Sequence, residues 1–81
     1  MSYETSDIHL ASALMSAGHR LDSVKSDSGR GFGKAIFILS GEDINEDAFR
    51  YMNDELELPP RKLFTRLREL KAMAANTTRR R

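Results

Sequence analysis

Three groups of residues in this 81-residue chain have types and spacings that could do chemistry. The first is SGRGFGKAIF, residues 28–37, with glycines at 29, 31 and 33 ahead of Lys34. A phosphate-cradling loop needs G-x-x-x-x-G-K-[ST] running into a helix, so that backbone N–H groups and the helix end hold the anion. Here Ser28 stands at the first position, Ala35 follows Lys34, and the apolar run after it reads as a strand. Arg30, Gly31, Phe32, Gly33 and Phe37 also match part of an RNA-binding strand motif. Lys34 occupies the place of a base-stacking aromatic, which argues against that reading. The stretch is expected to be a hairpin turn.

The second group is titratable. His9 and His19 lie ten residues apart, with no ligand at helical spacing and no cysteine in the chain. Neither a zinc site nor an acid–base pair follows. DINEDAFRYMND, from Asp43, copies a calcium loop at its first, third and fifth positions. It has Ala48 where the sharp turn needs glycine and Asp54 where the loop ends in glutamate. No nucleophile–base pair is recognisable, so no enzyme, cofactor or metal is expected.

The third group is basic. Residues 59–81 hold eight Lys/Arg against Glu69 alone, a balance of +7; residues 1–58 hold five against eleven Asp/Glu, a balance of −6. Such asymmetry suggests an acidic face and a basic face or tail. Lys62, Arg66 and Arg68 lie off the leucine positions of a helix, and Arg79, Arg80 and Arg81 extend that charge. These six are the candidate nucleic-acid contacts, since phosphates reward cations without demanding fixed geometry. The alternative surface is acidic, with Glu46, Asp47, Asp54 and Glu55 as candidate contacts for a basic host or phage protein.

Elements must position these groups, and a chain this short buries only about 60% of its unfolded surface. A homodimer is therefore an option, through Leu63, Leu67 and Leu70 or through a hairpin edge. No apolar run reaches the roughly 18 residues of a membrane span. No basic-then-apolar signal segment is present, so a cytoplasmic setting is expected.

Leu10, Ala11, Leu14, Met15 and Ala17 recur at helical spacing after a cap at Thr5 or Ser6, with Gly18 as the left-handed stop. Residues 1–5 read as a frayed end. Strands over about 20–26 and 33–39 pair as an antiparallel hairpin; the apolar run 35–39 suggests a strand covered on both faces. Asp43 and Glu46 form a capping box for a second helix, whose stripe is Ile44, Ala48, Tyr51 and Met52. ELEL, 55–58, alternates like a short edge strand. Pro60 opens a third helix with Leu63, Leu67, Leu70 and Ala74 inward, supported by Phe64. The expected architecture is one α+β domain over 1–75, in the order α-β-β-α-(β)-α, with a flexible basic tail over 76–81.

Asp7, Ala11, Leu14 and Gly18, then Leu21, the Phe37 strand and YMNDELELPPRKLFTRLRELK resemble a family of small domains of unknown function. That family is found mainly in bacteriophages and bacterial mobile elements. The resemblance covers about residues 6–72 and rests mostly on helix-face and cap positions. It implies a phage or prophage origin and a cytoplasmic setting, and it supplies no catalytic residue.

Overall fold

A computed structural model describes residues 1–27 and 34–78. The chain is an α+β domain whose elements are β1 (Ser2–Thr5), α1 (Ile8–Ser16), β2 (Arg20–Asp27), β3 (Lys34–Ser40), α2 (Ile44–Met52) and α3 (Pro60–Thr78). The strands form one antiparallel sheet in the order β1-β3-β2. The expected frayed end is thus an edge strand. A lone hairpin is marginal in water, and a third strand helps to complete a sheet with a buried face.

The hairpin forms close to its expected limits, and its turn, with Gly29, Gly31 and Gly33, lies outside the described residues. Phe37 opposes Thr5 and Val24, while Leu39 opposes Tyr3 and Leu21. The register slips between Leu21 and Ser23, so Asp22 is the extra residue of a bulge. Phe37 and Leu39 are fully buried, with Tyr3, Leu21, Val24 and Ala35 packed around them. Ile36 and Ile38 alternate to the other face, beside Glu4, Ser23 and Lys25, and remain half-buried. The expectation of a strand covered on both faces is corrected: the core lies on one side, and the apolar run arises because β3 is central. Phe37 is consumed by that core and offers no stacking surface.

Asp7 caps α1, its carboxylate accepting from the N–H groups of His9 and Leu10 at 2.9 and 3.3 Å. The expected caps do not serve because Thr5 ends β1 and its hydroxyl accepts from the Asp7 N–H. At the other end Gly18 has φ +107° and the His19 N–H reaches back to the Leu14 carbonyl, a Schellman closure. α1 packs chiefly against α3 and also touches α2 and all three strands. Its buried Ser12 and Ser16 hydroxyls donate to the carbonyls of His9 and Ser12, so neither is an unpaired polar group.

The expected capping box of α2 is absent. Asp43 sits at φ 60°, ψ 25°, and its side chain makes no cap bond, since capping needs an extended residue there. Ile44 and Ala48 are buried and Tyr51 packs on the core, but Met52 is 62% exposed. Met52 lies about 75° round the helix from the centre of that stripe. α2 closes with Asp54 at φ 58°, where the Glu55 N–H bonds the Arg50 carbonyl at 2.8 Å. An aspartate therefore holds a position that glycine fills at lower cost, and Asp54→Gly is expected to raise stability by up to about 1 kcal/mol. Chemical denaturation with an unchanged m-value would check this.

No strand forms at 55–58 among the described residues; the segment links α2 to α3. Pro60 is the first residue of α3, and the Pro59 carbonyl accepts from Leu63 N–H. α3 continues to Thr78, three residues beyond the expected end. Leu70 is fully buried, Leu63 and Leu67 are half-buried, and Ala74 packs on the core. The leucine stripe is therefore largely occupied within the domain.

Candidate nucleic-acid interface

At about 100° per residue, Arg61, Phe64, Arg68 and Lys71 fall on one side of α3, away from the leucine stripe. Their spacing of three, four and three residues keeps them in a row about 15 Å long. The three cations are exposed, and Phe64 is 63% exposed between them. Among the described residues, none of the three has a carboxylate within 4 Å.

The residues singled out from sequence do not form one patch. Arg68 belongs to this row, Lys62 lies on the far flank, and Arg66 sits about 160° from Arg68. Arg66 is half-buried and donates to Glu69 Oε1 at 3.0 Å, so part of its charge is already answered. Arg79, Arg80 and Arg81 lie outside the described residues. Phe64, expected to support the inward stripe, points outward instead. Helical arithmetic holds the signal: Phe64 is about 90° from the centre of Leu63, Leu67, Leu70 and Ala74.

The acidic candidates also divide. Glu46, Asp54 and Glu55 are exposed. Asp47 is not available: its side chain is 17% exposed, and its oxygens lie 2.6 Å from His19 Nε2 and 3.4 Å from Arg50. His19 itself is 7% exposed. A cleft of about 360 Å³ opens beside this pair, with Gly18, Gly41, Glu42, Asp43 and Glu46 in its wall. No hydroxyl or thiol lines it and, among the described residues, no group of three or more potential ligands could hold a metal.

The pair works as a clasp between the α1–β2 corner and α2. Gly41 permits it, because a Cβ at that position would collide with His19 Nδ1. Asp47→Ala is expected to lower unfolding free energy by about 1–3 kcal/mol, as it leaves a buried imidazole without its partner. Gly41→Ala should cost a similar amount by displacing the ring, and adding it to Asp47→Ala should cost little more. A four-variant denaturation cycle checks both, and full additivity would exclude the clasp. Sequence could not reveal it, since His19 and Asp47 are 28 residues apart and share no motif.

The fold and surface define a small α+β domain with a one-sided core, a basic aromatic row and a separate acidic helix. Compared with protein-family models, curated proteins and solved structures, the chain finds no match.

Proposed function

We propose that this chain is a non-enzymatic accessory protein of phage type that contacts nucleic acid through the basic side of α3, with Arg79, Arg80 and Arg81 adding to the same charge. The observation that carries the reading is the row Arg61, Arg68 and Lys71, exposed and without carboxylate neighbours among the described residues. Three cations aligned on one ordered helix contact phosphates cooperatively and release counterions. The phage origin and cytoplasmic setting follow from the family resemblance alone. No described helix is long and apolar enough to cross a membrane.

Titration of a labelled oligonucleotide at about 50 mM salt tests the reading, because electrostatic binding is strong there. Binding that weakens steeply with added salt is expected. No change at micromolar protein removes the proposal.

A second reading has its own observation. Phe49 and Met52, one turn apart on α2, are 66% and 62% exposed beside acidic Glu46, with Asp54 and Glu55 just beyond. An apolar pair with an acidic rim suits a basic amphipathic partner segment. Phe49→Ser would then abolish capture of a nuclease-resistant partner while leaving oligonucleotide binding unchanged. Of the two homodimer surfaces expected from sequence, the leucine stripe has Leu70 enclosed in the core, so the edge strand β2 is the better supported contact. Sedimentation as a monomer at high micromolar concentration excludes it.

A further inference from the structure

We infer that the ligand of the α3 row is single-stranded nucleic acid, and that Phe64 is the platform on which one base stacks. The inference rests on the nucleic-acid reading above and adds to it the strand form and the residue that selects it.

Phe64 is a large apolar side chain left 63% exposed, outside the core cluster that Leu70 of the same helix joins. Its neighbours on the helix side are Arg61 at i−3, Arg68 at i+4 and Lys71 at i+7, all exposed. An exposed phenyl ring between cations costs the isolated protein solubility, and it gains most when its face is covered. In a duplex the faces of interior bases are already stacked on their neighbours, so the ring could meet only groove edges. In a single strand each base offers a free π-face, while phosphates on either side reach the flanking cations. A helix side with charges at both ends and an aromatic between them matches that alternation of phosphate and base. The likeness to an RNA-binding strand at residues 30–37 has no part in this, since Phe37 is in the core.

The experiment compares a fluorescent single strand of about 12 nucleotides with its duplex, using the full chain and Phe64→Leu. Leucine keeps an apolar side chain but removes the π-face. Wild type is expected to prefer the single strand. Phe64→Leu should weaken single-strand binding about 5- to 150-fold, the range for losing one stacked base. Duplex binding and the salt dependence of both should stay as they were. Equal affinity for the two forms, or a Phe64→Leu variant that binds the single strand like wild type, overturns the stacking inference and leaves the basic row standing. Failure to bind either form at about 50 mM salt overturns the nucleic-acid reading itself. If circular dichroism shows Phe64→Leu to be misfolded, Phe64→Trp replaces it. Quenching of that tryptophan by the single strand supports the platform, and an unchanged emission rejects it.

Discussion

Leu70→Ala is expected to be the most damaging single change in α3. Leu70 is its one residue, among those described, that is fully enclosed, and it joins Leu10, Leu14, Phe37 and Leu39 in the core. Truncating a buried leucine costs about 2–5 kcal/mol, through lost transfer energy and the cavity left behind. A domain of this size has about 4–12 kcal/mol in total. The variant should therefore unfold at much lower urea, or be partly unfolded in buffer. Leu63→Ala and Leu67→Ala, at half-buried positions, should cost distinctly less. Phe64→Ala, mostly exposed, should fall within about 0.5 kcal/mol of wild type. Urea titration followed by circular dichroism ranks the four. Equal losses at Leu70 and Phe64 would mean that α3 does not dock by its leucine side.

That ranking also marks how much the sequence could disclose. The α+β class, the hairpin, the Gly18 stop and the Pro60 start were legible because each depends on local chemistry: alternation, a left-handed stop, a missing N–H. β1 was not legible. Ser2–Thr5 has little apolar content, and only its pairing with β3 makes it a strand. ELEL has the better local pattern and stays unpaired, so alternation was the weaker evidence there. The Asp43 cap failed for a similar reason, because tertiary placement put that residue at positive φ. Of the interface, charge and helix were readable, and so was the outward position of Phe64, which follows from its angle of about 90° to the centre of the leucine stripe. The partial pairing of Arg66 was readable at i,i+3, whereas the removal of Asp47 from the available charges was not. Glu69 answers Arg66 locally, but His19 comes to Asp47 from across the fold.

This division of charges sets up the second large effect, in the salt dependence of binding. Each phosphate neutralised on a single strand contributes about −0.7 to the slope of log affinity against log salt, and about −0.9 on duplex. Replacing Arg61, Arg68 and Lys71 together by glutamine should thus flatten the single-strand slope by about two units. Between 50 and 200 mM salt, a two-unit change in slope alone corresponds to about a 16-fold difference in how much affinity is lost. Arg66→Gln should flatten it far less, because Arg66 lies across the helix and already engages Glu69. Removing Arg79, Arg80 and Arg81 should take away up to about two further units if all three meet phosphates, with the fold unchanged by circular dichroism. Anisotropy titrations over this salt range measure every slope directly. A triple variant with the wild-type slope would show that the phosphates lie elsewhere. An Arg66→Gln effect as large as that of Arg68→Gln would show that the ligand wraps the helix rather than following one side of it.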